Sequence, residues 1–147
     1  MLTQNIMGTN VFSAKNIKRD WHLVDAKDQT LGRLATGIAK TLMGKNKPEF
    51  VPYLDHGDFV VIINAAEVKV TGKKPAQKVY TRHSGFPGGL RQESFNDLQK
   101  RRPTEILRHA IKGMLPKTKL GDKMIKKLYI YPGEQHPHKN LKKGEES

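Results

Sequence analysis

Few residues in this chain could carry chemistry, and most of those have a plainer use. Asp55-His56-Gly57-Asp58 places two carboxylates and an imidazole within one short run, a donor set suited to a metal ion or a general base. Nothing else completes a ligand set beside them. Asp and Gly are also favoured where a chain turns into a buried strand, so the run reads as a turn. His136-Pro137-His138 stands in a polar tail and reads as a pair of solvated histidines. Gly72-Lys73-Lys74 looks faintly like the end of a phosphate-cradling loop. That loop needs a glycine at position 67 and Ser or Thr after its lysine, whereas Glu67 stands there and Pro75 follows the lysines. There is no Gly-x-Ser-x-Gly elbow, and the adjacency of His83 and Ser84 does not set an imidazole against a hydroxyl. Without cysteine there is no thiolate nucleophile, disulfide or Cys-based zinc site. The chain therefore reads as neither an enzyme nor a carrier of a metal, cofactor or small-molecule substrate.

The remaining chemistry is charge. The 147 residues include 27 Lys and Arg against 14 Asp and Glu, a formal net charge of +13. Such an excess repels itself in a free compact protein and suits a chain working against a polyanion, nucleic acid before an anionic membrane surface. The cations fall into groups. Lys45 and Lys47 follow the first long helical stretch. Lys73 and Lys74 sit on a turn, where they are either solvated or, as favoured in a chain this basic, in contact with backbone phosphates. Lys78, Arg82, His83 and Arg91 flank a glycine-rich loop, and Arg101 and Arg102 precede a further helix. In that loop Phe86 could stack on a base, although a packed loop aromatic is the plainer reading. The densest group is Lys112, Lys117, Lys119, Lys123, Lys126 and Lys127, interleaved with Met114, Leu115, Leu120, Met124 and Ile125. The apolar residues would anchor this segment while the lysines point outward. Residues 101–147 hold 12 of the 27 cations and 5 of the 14 acids, so the last third supplies most of the field.

The elements that position these residues follow from periodicity. Residues 21–26 predict a strand, and Asp28 or Thr30 could cap the helix that follows. Leu31, Leu34, Ala35, Ile38, Ala39, Leu42 and Met43 recur at helical spacing, and Gly44 ends the helix. Residues 59–64 form a continuous β-branched run, which predicts a central parallel strand covered on both faces. Residues 68–71 alternate as a shorter strand, and residues 78–83 predict a strand with one wet face. Residues 84–89 predict a loop with unusual backbone angles. Helices are predicted over 95–102, from Pro103 through Leu115, and around Leu120 to Ile125, followed by a final strand over 128–131. Helices alternating with strands predict an α/β fold: a single domain with a mostly parallel central sheet flanked by helices. Its parts are a polar arm over residues 1–15, a domain over 16–133 and a polar tail over 134–147. No apolar run approaches the roughly 18 residues of a membrane span, and the first ten residues lack the features of a signal peptide, so a cytoplasmic protein with no membrane partner is expected.

Several motifs stand in the order of a known family. Lys112-Gly113-Met114-Leu115-Pro116, then Gly121, then Leu128-Tyr129-Ile130-Tyr131 ending near Gly133 resembles the signature of the bacterial form of ribosomal protein thirteen of the large subunit. Upstream, Arg19-Asp20-Trp21, Thr30-Leu31-Gly32-Arg33-Leu34-Ala35, Gly57-Asp58, Ile63-Asn64-Ala65, Val70-Thr71-Gly72-Lys73-Lys74 and Arg101-Arg102-Pro103 match in order, so the resemblance covers residues 11–139. The departures are the extra arm before Val11 and the short, lysine-rich tail. The resemblance implies one α/β domain that binds large-subunit rRNA beside neighbouring ribosomal proteins, supports assembly on the solvent side of the particle, and has no catalytic role or cofactor. The assignment of particular cations to RNA comes from charge and position. An RNA-binding regulator acting outside the ribosome is the alternative that the same charge would serve.

Overall fold

A computed structural model describes residues 17–138. The expected arm over 1–15 and the tail from 139 onward lie outside the described residues. The strands are β1 (Trp21–Asp25), β2 (Phe59–Ile63), β3 (Val79–His83), β4 (Leu90–Ser94) and β5 (Leu128–Ile130). The helices are α1 (Leu31–Met43), α2 (Lys74–Gln77), α3 (Phe95–Arg101), α4 (Pro103–Met114) and α5 (Lys119–Met124). Three strands form one parallel sheet in the order β1-β2-β5, with Trp21 beside Phe59 and Val61 beside Tyr129. This is the expected α/β domain with a mostly parallel sheet.

The central strand explains the arrangement. Val60, Val61, Ile62 and Ile63 are all buried, so neither face of β2 can meet water. Val60 and Ile62 join the main core with Leu34, Ile38 and Leu42 of α1, Ile106, Leu107 and Ile111 of α4, and Leu128 of β5. Val61 and Ile63 have the opposite parity and point to the other face. There Trp21 stacks on Phe59 at 4.4 Å and on Tyr129 at 5.7 Å between ring centroids. The expected solvated histidines are part of this layer. His138 lies 5.2 Å from the Trp21 ring and 4.8 Å from that of Tyr129, and its Nε2 is 3.1 Å from the Tyr131 hydroxyl. Their ring faces are apolar enough to cover the sheet, which corrects the reading of residues 136–138 as a plain polar tail.

Local signals account for the helix ends. Gly44 closes α1 in the left-handed conformation, with a φ of 77°. Thr30 occupies the N-cap of α1 but its hydroxyl makes no capping bond; the Leu31 amide instead donates to the carbonyl of Lys69 at 2.8 Å. That contact is what remains of the expected strand over 68–71, reduced to a single parallel bridge between Thr30 and Lys69. Ser94 caps α3 by accepting from the Asp97 amide, and Thr118 caps α5 by accepting from the Gly121 amide.

A short helix, α2, stands where a basic turn was expected, and one strand, β4, was not expected at all. This strand pairs antiparallel with β3 to make a separate hairpin, with Arg82 beside Arg91 and Tyr80 beside Glu93. Leu90-Arg91-Gln92-Glu93-Ser94 has no apolar alternation to announce a strand. The connecting loop takes the unusual angles expected of it, with φ of 89° at Gly85 and 71° at Gly88.

Gly121 is a point where the fold admits no side chain. A Cβ there would stand 1.9 Å from the carbonyl oxygen of Pro116, which is backbone and cannot swing aside. Gly121→Ala is expected to destabilise the domain by about 1–3 kcal/mol. A urea midpoint equal to that of the parent would show that the turn before α5 is looser than its geometry.

Candidate nucleic-acid interface

Folding sorts the expected interface cations into two kinds. The first kind is internal. Lys127 was expected to point outward with its neighbours, but only 6% of it is exposed. Its ammonium donates to the Asp55 carboxylate, to the Gly57 carbonyl at 2.8 Å and to the Leu42 carbonyl at 3.4 Å. An ammonium has three protons and here has three acceptors, so none remains for a phosphate. Burial pulls its pKa below the ordinary lysine value, against the Asp55 carboxylate, which pulls it up. Lys127 is therefore a structural cation, not part of an RNA surface. Lys47 is another: it is half-buried, pairs with the Asp58 carboxylate and donates to the Lys18 carbonyl at 2.8 Å. Arg101 is exposed but committed, donating through Nε and Nη2 to both carboxylate oxygens of Glu93.

These pairs explain Asp55-His56-Gly57-Asp58. The two carboxylates diverge, Asp55 toward Lys127 and Arg19, Asp58 toward Lys47, His22 and the Asp20 amide. They are counter-charges for structural cations and do not converge on a common point. Gly57 lies between them because a Cβ would stand 1.6 Å from the Leu42 carbonyl oxygen and 2.7 Å from the Lys127 ammonium. No local pattern announces this, since the partners lie 11 to 72 positions apart in the chain.

The second kind is outward and unpaired. Lys45, Lys73, Lys74, Lys78, Arg82, Arg91, Arg102, Lys112, Lys117, Lys119, Lys123 and Lys126 are exposed, and none forms an ion pair among the described residues. All but Lys45, which follows α1, fall into two regions. One comprises α5 and the end of α4, anchored by buried Leu115 and Met124. Met114, expected among those anchors, is instead 41% exposed. Lys112 and Lys117 flank a notch of about 250 Å³ between the two helices. The other region is the hairpin and the residues before it. Lys73 and Lys74 begin α2, Lys78 lies with its ammonium 5.2 Å from the Tyr80 ring centroid, and Arg82 and Arg91 face each other across the strands. His83 is exposed, but its Nδ1 accepts from the Gly85 amide at 2.9 Å and so helps shape the turn. Opposite the hairpin, Arg102 joins α3 to α4. Tyr80 and His109, which sequence reasoning did not single out, pack edge to face beneath these arginines at 5.6 Å and 83°.

Comparison with known proteins bears on what these surfaces serve. The family model described as Ribosomal protein L13 matches residues 19–137. Curated relatives named large ribosomal subunit protein uL13 are similar over most of their own length. One from Prochlorococcus marinus is 59% identical over 126 residues, covering 86% of this chain and 84% of the relative. One from Roseiflexus castenholzii is 54% identical over 132 residues, 90% of each chain. One from a Synechococcus species is 55% identical over 130 residues, 88% of this chain and 87% of the relative.

The internal pairs make stability depend on pH. Burial pushes the Asp58 carboxyl up, but the hydrogen bonds from Lys47, the Asp20 amide and His22 together outweigh it and hold the group below the ordinary carboxylate value. A depressed folded pKa stabilises fully above the unfolded value of about 3.9 and loses that contribution as pH falls through the folded value. Asp58→Asn is expected to lower stability by about 1–3 kcal/mol near neutral pH, because it leaves charged donors poorly matched. The gap to the parent should close as pH drops to about 3 and below. Urea midpoints of both proteins across that range check it, and a gap that stayed constant would refute the assignment.

Proposed function

The chain belongs to the ribosomal protein L13 family, and on that premise we propose that it is a structural constituent of the large ribosomal subunit that binds large-subunit rRNA and supports subunit assembly. The observation that carries this reading is the separation of charge. Five acids of the described residues pair with Lys or Arg, and most of the expected interface cations that form no ion pair are exposed in two regions of one small domain. Surfaces of that kind engage phosphates through counterion release without needing an enzyme's pocket. Their irregularity also suits folded RNA. α4 ends at Met114 and α5 starts at Lys119 after the Thr118 cap, so Lys112, Lys117, Lys119, Lys123 and Lys126 fan over a bent surface rather than one straight face. Neighbouring ribosomal proteins complete the set of partners, the setting is the cytoplasmic ribosome, and no catalytic step, cofactor or membrane is part of the role. Lys127 is withdrawn from the interface residues, and Lys47 and Arg101 are assigned to holding the fold.

Two measurements test this. Affinity of the full chain for rRNA fragments should fall steeply and linearly with log salt, and a slope near zero would remove the electrostatic reading. Replacing Lys117, Lys119 and Lys123 together by Gln should leave stability within about 0.5 kcal/mol per site, since the three are exposed. It should also flatten the salt slope by up to about 3 units if all three touch phosphates. Sedimentation separates the two roles for such a surface. A ribosomal constituent co-migrates quantitatively with large subunits at high salt, and a regulator acting outside the ribosome does not.

A further inference from the structure

We propose that the cleft between the β3–β4 hairpin and the α3–α4 pair receives a single unpaired nucleotide of RNA, with its phosphate between Arg82 and Arg91. This rests on the RNA-binding role above and adds a specific site to a surface otherwise described by charge alone.

The cleft has a volume of about 470 Å³. Strand alternation puts Tyr80 and Arg82 of β3 and Arg91 and Glu93 of β4 on one face of the hairpin, and all four line the cleft. Arg101, Arg102 and His109 form the opposite wall. Arg82 and Arg91 are register partners, the arrangement in which like charges destabilise a sheet. Neither makes an ion pair among the described residues. Two carboxylates line the same cleft: Glu93 is committed to Arg101, and Glu105 forms no ion pair among the described residues. The Glu93–Arg101 pair fastens the hairpin to α3 and keeps the cleft's shape. The facing pair of arginines has no such structural use. An anion between them would turn a repulsion into charge-assisted hydrogen bonds from two guanidiniums.

The floor suits the rest of a nucleotide. Tyr80 is half-buried beneath the arginines, its ring set against that of His109, and its hydroxyl makes no hydrogen bond among the described residues. Burial raises the Tyr80 pKa above that of an ordinary phenol, so the hydroxyl keeps its proton and can donate. The site is recessed between two elements. A duplex presents its phosphates on the outside of a wide rod and cannot enter, whereas an unpaired nucleotide can be splayed into such a cleft and set against aromatic and arginine planes.

The test uses the full chain with two probes, a single-stranded oligoribonucleotide of about ten nucleotides and the duplex of the same sequence. R82Q/R91Q should weaken single-strand binding by about tenfold or more while affecting the duplex far less. Its thermal stability should equal or exceed the parent's, because a like-charge pair has been removed. An unchanged single-strand affinity, or an equal loss on both probes, would overturn the cleft as a nucleotide site. Earlier melting of the double variant would assign the arginines to holding the hairpin and would overturn it as well. The parent separates this from the wider reading: if it bound neither probe with salt dependence, RNA binding itself would fail, whereas steep binding of both with an indifferent double variant would remove the cleft alone.

Discussion

A lysine ammonium enclosed by carbonyls is the constraint on which the rest of this fold depends. Lys127 reaches the last turn of α1 at the Leu42 carbonyl, the turn before β2 at the Gly57 carbonyl, and the Asp55 carboxylate. It thereby fastens together three segments whose mutual position decides where β2 and β5 can pair. A buried charge of this kind is costly to desolvate and is tolerated only when every proton has an acceptor. Glycine at position 57 is part of the same solution, since any side chain there would displace either the carbonyl or the ammonium. The neighbouring Asp58 node repeats the pattern with Lys47 and His22, and the Asp20 amide ties the entry to β1 into it.

This use of charge inside the domain determines what remains outside. Asp28, Asp55, Asp58, Glu67 and Glu93 each pair with a lysine or arginine among the described residues. A chain of net charge +13 thus has five of its 14 acids tied to particular cations. The expected interface cations of α5, the end of α4 and the hairpin form no ion pair among the described residues. Surface ion pairs add little stability, commonly about 0–1 kcal/mol each. Their larger effect here is on where the field stands, because each one cancels a cation that would otherwise add to it.

The parts of this arrangement legible in sequence were those set by local pattern. The stripe of α1, the stop at Gly44 and the buried run of β2 follow from residues a few positions apart. The parts that were not legible depend on partners distant in the chain. Lys127 lies in a run of lysines and differs from Lys126 only in facing inward, a matter of one position on a tight turn. β4 has no apolar alternation and is a strand because β3 lies beside it, while residues 68–71 alternate yet find a partner only at Lys69. His136 and His138 read as solvated because nothing nearby shows that the second face of the sheet needs aromatic cover. In the interface, the cations could be listed from sequence but not divided into committed and free, since that division is made by acids elsewhere in the chain.

The hairpin shows how the proposed binding surface inherits its order from the core. A two-stranded hairpin alone is marginal in water. This one is held at its base by buried Phe95, whose amide donates to the Lys78 carbonyl at 2.9 Å, and along its side by the Glu93–Arg101 pair. Phe95 in turn belongs to the cluster that contains Ile106, Ile111 and the inner residues of β2. The positions of Arg82 and Arg91 are therefore fixed by apolar packing at the base of the strands that carry them, and not by attraction between themselves. Repulsion between such cations is a standing cost of the free protein, and it falls when a polyanion supplies the missing charge. On the proposed RNA-binding role, binding and folding are then linked through the same groups: the better the core holds the unpaired cations in place, the more a phosphate backbone gains by neutralising them.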